Sequence, residues 1–193
     1  MRKDRISFFR QFLLHPGSVG AVLPSSHALA QTMVDWIDWP NVHAAAEFGP
    51  GTGVFTQSIL SSLAPGAKFV AIEANPQFVQ LLQQRYPNAA VYHDSVGNVQ
   101  RVCEREQIER LDAILCGLPW ASFSNEDQME FLTAMMAVLK PNGQFATFAY
   151  LQGLLLPAGQ RFRRLLAQYF SKVERSGVVW RNLPPAFVYR CRR

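Results

Sequence analysis

The chain has 193 residues, 49% of them hydrophobic and 17% charged, with a formal net charge of +5. That length suits one domain around one core, and the basic balance favours an anionic partner, whether nucleic acid, acidic lipid or a phosphorylated substrate. Three cysteines without paired spacing argue against a disulfide framework or zinc site, and no apolar run reaches the roughly 18 residues of a membrane-spanning helix.

The first forty residues read as a helical lead-in. One helix is expected near Lys3–Leu14, then a loop with Pro16 and Gly17, then a second helix near His27–Ile37 capped by Ser25 or Ser26. The basic N-terminus has no clean apolar segment with a small-residue cleavage site, so it does not read as a signal peptide. From Ala44 onward, short apolar runs alternate with helical patterns. Strands are expected at Ala44–Phe48, Lys68–Ile72, Ala90–His93, Leu111–Cys116 and Gln144–Tyr150. Helices are expected at about Val54–Leu63, Phe78–Tyr86 after Pro76, Asn98–Glu109 and from Asn125 or Asp127 to Leu139. A further helix near Phe162–Phe170 precedes two strands, Val173–Trp180 and Phe187–Cys191, joined by Asn182-Leu183-Pro184-Pro185. The alternation implies a mostly parallel sheet with helices on both faces, closed by an antiparallel hairpin. The expected division is residues 1–40 as lead-in and 41–193 as core.

The sharpest signal is Glu47-Phe48-Gly49-Pro50-Gly51-Thr52-Gly53, at the junction of the first strand and its helix. Glycines there let the backbone approach a ligand, and the carboxyl end of a parallel strand is where one binds. The spacing departs from a dinucleotide fingerprint: counted from Gly51, Thr56 stands where the third glycine belongs. Glu47 would repel a pyrophosphate but suits an ammonium or sulfonium charge. Glu73 closes the second strand, where a carboxylate can accept from a ribose diol. Asp94 and Ser95 close the third, where they can contact an adenine.

Residues 44–150 resemble the class I methyltransferase core, a Rossmann-like α/β fold whose mostly parallel seven-stranded sheet ends in an antiparallel hairpin. The resemblance implies S-adenosylmethionine as cofactor, S-adenosylhomocysteine as product, and no metal. It implies that Glu47, Gly49, Gly51, Thr52 and Gly53 surround the methionine end. It further implies that Glu73 and Ala74 meet the ribose, Asp94 and Ser95 the adenine, and that Gly117 adjoins the cofactor.

The acceptor side is expected at Cys116-Gly117-Leu118-Pro119-Trp120, which resembles the Asn-Pro-Pro-Tyr and Asn-Leu-Pro-Tyr motifs of amino-methylating enzymes. Gly117 replaces the usual Asn or Asp, so one side-chain acceptor is missing. Leu118, Pro119 and Trp120 are expected at the acceptor, with Trp120 stacking on a base or on a cationic amine. A structural turn around a buried Trp is the alternative. Candidate bases are His15, His93, Tyr150 and Tyr189. Tyr150 is favoured for its place at the end of the fifth strand, with Tyr189 as a further substrate contact.

The lead-in carries Arg2, Lys3, Arg5 and Arg10 beside Phe8, Phe9 and Phe12. On a helix, Ile6, Phe9 and Leu13 share a face, a pattern that lies in an anionic membrane interface or simply caps the core. Over nearly its full length the chain resembles bacterial phospholipid N-methyltransferases. The residues that carry this are Phe8-Phe9, residues 16–26, Glu47–Gly53, Gly117–Trp120 and Trp180–Tyr189. That resemblance implies methylation of the phosphatidylethanolamine headgroup towards phosphatidylcholine. It also implies a lead-in helix on the inner face of the cell membrane, and Pro24, Ser25 and Ser26 closing over the cofactor. A cytoplasmic, peripherally associated enzyme is expected, with no nucleic-acid or protein partner. Three readings stay open beside it: an rRNA adenine-N6 methyltransferase, a small-molecule amine N-methyltransferase, and a non-catalytic protein that keeps the cofactor fold.

Overall fold

A computed structural model describes residues 26–193. The lead-in helix expected at Lys3–Leu14, the membrane residues Arg2, Lys3, Arg5, Phe8, Phe9, Arg10 and Phe12, and Ser25 lie outside those residues. Seven strands form one sheet: β1 (Ala44–Phe48), β2 (Lys68–Glu73), β3 (Ala90–His93), β4 (Leu111–Cys116), β5 (Leu139–Tyr150), β6 (Lys172–Arg175) and β7 (Ala186–Arg192). Their order is β3-β2-β1-β4-β5-β7-β6. The first five run parallel, while β7 pairs antiparallel with both β5 and β6. The switch point, where the order reverses, falls between β1 and β4, which puts the glycine turn over the crevice there.

The helices are α1 (His27–Val34), α2 (Val54–Ser62), α3 (Pro76–Arg85), α4 (Val99–Arg105), α5 (Asn125–Val138) and α6 (Pro157–Tyr169). Strand alternation divides the core in two. Ala46, Phe48, Ile114, Cys116, Phe145 and Tyr189 point to the face covered by α4, α5 and α6. Ala45, Leu115, Ala146 and Val188 point to the face covered by α1 and α2. On that second face α3 packs Val79 and Leu82 against Ala71 and Val91.

Local rules set most boundaries. Ser26 caps α1 by accepting from the Leu29 amide, Asn75 caps α3 ahead of Pro76, and Ser124 caps α5. Three expectations need correction. The helix expected at Asn98–Glu109 stops at Arg105, because Gln107 turns to φ 52° and the Ile108 amide returns to the Cys103 carbonyl. Pro141-Asn142-Gly143 does not precede β5 but bulges within it, with Asn142 at φ 62°, and shifts the β4–β5 register between Leu111 and Ala113. Strand β6 ends at Arg175, well before Trp180. Ser176 closes the ladder against Val188, and residues 177–185 form a longer connection that bridges back to β7 through Val179 and Ala186.

Candidate cofactor and acceptor site

At the end of β1 the ladder runs directly into the loops. The Gly49 amide donates to the Ile72 carbonyl at 2.9 Å and the Gly117 amide to the Phe48 carbonyl at 2.7 Å. Gly49 sits at φ 66°, and a Cβ there would lie 2.7 Å from the Leu118 side chain. Gly53, the N-cap of α2, sits at φ 84° against Leu82 of α3 and Tyr86, which follows that helix. Gly51 sits at φ 55° and a Cβ there would meet nothing within 4 Å, leaving open space beside the backbone.

Two carboxylates frame this turn. Glu73 accepts from the Gly51 amide at 3.0 Å and from the Asn75 amide at 2.8 Å, so it pins the middle glycine to β2. Burial raises its pKa, against the lowering effect of those amides. Glu47 is fully buried and accepts from the Thr56 hydroxyl at 2.6 Å. Its other oxygen, Oε1, has no hydrogen-bond partner among the described residues. Burial drives the Glu47 pKa to about 8, with Thr56 pulling it down and Glu73 pushing it up. An orphaned buried carboxylate oxygen beside an open backbone cradle fits a ligand that brings its own positive charge. S-adenosylmethionine carries such a charge, and Glu47, the three glycines and Glu73 are the candidate residues to hold it. Thr56, absent from the expected site, owes its place to this hydroxyl; its one signal in the sequence was that it stands where a dinucleotide turn keeps glycine.

The third carboxylate is committed differently. Asp94 accepts from the Ser95 amide, from Asn98 and from Arg101. Burial acts to raise its pKa, but these donors win and hold it below the ordinary value. The Ser95 hydroxyl accepts from the Gly97 amide. Asp94 and Ser95 thus cap the turn after β3 and present one edge of it. His93 meets the Ala74 carbonyl at 3.1 Å.

On the acceptor side the missing Asn or Asp has a steric cause. A Cβ at Gly117 would lie 2.6 Å from the Gly49 carbonyl oxygen, so the β1 and β4 loops touch backbone to backbone. Leu118 packs over Gly49, and Pro119 opens the short turn Trp120–Ser122.

Two residues expected at the acceptor are packed into the core. Trp120 is 4% exposed, stacks on Phe162 at 4.3 Å and donates its indole NH to Thr147 at 3.0 Å. Thr147 in turn donates to the Cys116 carbonyl, and Gln128 donates to the Trp120 carbonyl. These contacts make Trp120 the anchor of the β4 loop, not an open stacking platform. Tyr189 is 1% exposed, between Phe162 and Phe187, because odd-numbered residues of β7 face the α4–α6 core. Tyr150 ends β5 on the opposite face, half-buried against Phe148. Burial pushes its phenol to about 12, so at neutral pH it offers a hydrogen-bond partner and not a resting base.

Ser26 joins this end of the molecule to the C-terminal connection. Its amide donates to Asn182 Oδ1 at 2.9 Å, and Asn182 Nδ2 donates to the Pro184 carbonyl. Among the described residues no group of three or more His, Cys, Asp or Glu is arranged to hold a metal, and no helix is long and apolar enough to cross a membrane.

Residues 45–143 match the methyltransferase domain family. The chain is 32% identical to the ornithine lipid N-methyltransferase of Singulisphaera acidiphila over 195 residues, covering 98% of this chain and 96% of the relative. Solved structures share the fold at low identity. A TehB-like S-adenosylmethionine-dependent methyltransferase from Corynebacterium glutamicum superposes with a TM-score of 0.61 at 12% identity, covering 98% of each chain. The N-methyltransferase NodS from Bradyrhizobium japonicum gives 0.60 at 15% identity, covering 97% of each.

Proposed function

Because the chain belongs to the class I S-adenosylmethionine-dependent methyltransferases, we propose that it methylates the amine of a membrane lipid headgroup. One observation carries this reading: the likeness to the ornithine lipid enzyme spans 98% of the chain, lead-in and C-terminal connection included, and not the cofactor core alone. Phosphatidylethanolamine is the acceptor we propose first, on the sequence pattern. Ornithine lipid is the second, favoured by that relative. Both present a primary amine on a lipid.

When bound, the cofactor supplies a methyl group already activated by its sulfonium. The protein supplies alignment and exclusion of water. Glu47 holds positive charge in a buried setting, and Glu73 fixes Gly51 so that the turn keeps its shape. A free alkylamine titrates near 10.4, and burial at the β4 and β5 ends favours its neutral, nucleophilic form.

The test is label transfer from radiolabelled S-adenosylmethionine to vesicles of either lipid, with total RNA and soluble amines in parallel. Label in the lipid fraction supports the proposal. Label confined to RNA or to soluble amines rejects it.

A further inference from the structure

Charge is divided unevenly along the described chain. Residues 26–149 hold six basic and twelve acidic side chains, whereas residues 150–193 hold nine basic and one acidic. The basic stretch begins where β5 ends and includes the sheet edge β7-β6.

The same stretch carries most of the exposed large apolar residues. Leu155 is 81% exposed, Trp180 73%, Leu183 67% and Leu156 49%. They belong to two loops that leave one end of the sheet. Tyr150 pairs with Ala186, and the Leu151 amide donates to the Pro185 carbonyl, so residues 151–156 and 180–185 are neighbours. That end is the carboxyl end of β5, the end that carries the candidate acceptor site. Basic side chains flank the loops. Arg181 lies between Trp180 and Leu183, and Arg163 and Arg164, exposed on α6, line a shallow cavity of about 510 Å³ with Leu154. The chain enters the described structure at Ser26, tied to Asn182 within this same connection.

Exposed leucines and a tryptophan ringed by arginines match the boundary of an anionic bilayer, where apolar side chains enter the headgroup layer and guanidinium groups meet phosphate. The acidic remainder is repelled by the same surface, which orients the molecule. We infer that the loops 151–156 and 180–185 dock on an anionic membrane through Leu155, Leu156, Trp180 and Leu183, with Arg163, Arg164 and Arg181 on lipid phosphates. This docks the carboxyl end of β5 against the headgroups. It rests on the lipid reading above and adds a surface separate from the lead-in helix expected at Lys3–Leu14.

Trp180 is itself the probe. The chain has four tryptophans, none before residue 36. Trp120 is buried, and Trp36 lies near the far end of the sheet, where its carbonyl accepts from Gln144; Trp39 follows in the same turn. The full chain is mixed with vesicles of brominated phosphatidylcholine containing phosphatidylglycerol, and tryptophan emission is read. The inference expects quenching that Trp180→Phe largely abolishes. It also expects about ten-fold weaker vesicle sedimentation for Leu155→Asp with Leu183→Asp, and a comparable loss for Arg163→Glu with Arg164→Glu. Retained S-adenosylmethionine binding checks folding of each variant.

Three results overturn it: no sedimentation of the wild type, sedimentation without quenching, or quenching unchanged in Trp180→Phe. The second would mean that residues 1–25 or another copy of the chain cover the patch. Methyl transfer to lipid presented in detergent micelles separates the two proposals. Quenching without lipid methylation leaves docking standing and rejects the lipid reading; methylation without quenching does the reverse.

Discussion

The cofactor half of the sheet, β1 to β3, and the acceptor half, β5 to β7, solve different problems with different materials. In the first half, backbone is held by backbone and by buried carboxylates: Gly49 on Ile72, Glu73 on Gly51, Glu47 on Thr56. In the second half β7 is buried but the edge strand β6 is mostly exposed, and the loops beyond Tyr150 expose apolar and basic side chains. The contrast is one of materials: the proposed cofactor side is a preorganised turn, whereas the proposed acceptor side differs in surface composition.

The largest effect should come where the β1 loop meets the β4 loop at the centre of the sheet. Gly117→Ala, or Gly117→Asn to restore the residue usual in related motifs, drives a Cβ toward the Gly49 carbonyl. Overpacking of this kind costs about 1–3 kcal/mol. Displacing the turn should weaken cofactor binding roughly 100-fold, read by calorimetry. Unchanged binding would mean that the turn is not rigid.

Next is Glu47→Gln. Loss of a buried charge partner should weaken S-adenosylmethionine roughly 10- to 100-fold. A pH signature accompanies it. Folded Glu47 keeps its proton up to about pH 8, whereas its ordinary value is 4.5. Unfolding between those values therefore releases a proton, and the ligand-free chain loses stability as pH rises through that window. Thermal melts should show that slope in the wild type and a shallower one in Glu47→Gln, where Glu73, its pKa also raised by burial, still contributes.

Smaller effects lie on the acceptor side. Tyr150→Phe should lower turnover less than about ten-fold and leave the pH–rate profile in place, because a general base would be worth roughly 100-fold or more. Smallest is Tyr189→Phe. The Tyr189 hydroxyl is buried without a partner among the described residues, so its removal should be neutral or stabilise by up to about 1 kcal/mol, with activity unchanged.

The first half was the more legible in sequence, for a physical reason. β1, β3 and β4 fall at the expected residues because each is a short apolar run bounded by turn chemistry. The glycines and Glu73 lie within about one βαβ unit, so spacing alone brings them together, as the Glu73–Gly51 contact shows. The burial of Trp120 and Tyr189 was not legible because their surroundings come from Phe162, Thr147 and Phe187, distant in sequence and invisible to a local motif. The Gly117 substitution looked like a lost acceptor; only the facing Gly49 carbonyl shows it to be a packing requirement. The link between Ser26 and Asn182 spans almost the whole chain and has no local signal.

The central claim is methyl transfer to a lipid amine, and mass spectrometry of the lipid extract tests it most directly. Vesicles holding both phosphatidylethanolamine and ornithine lipid are incubated with the full chain and S-adenosylmethionine. The account predicts a one-methyl mass gain on the headgroup nitrogen of at least one of the two lipids, strongly reduced in Glu47→Gln at the same sub-saturating cofactor concentration. Unmodified lipids, together with normal cofactor binding, would contradict it.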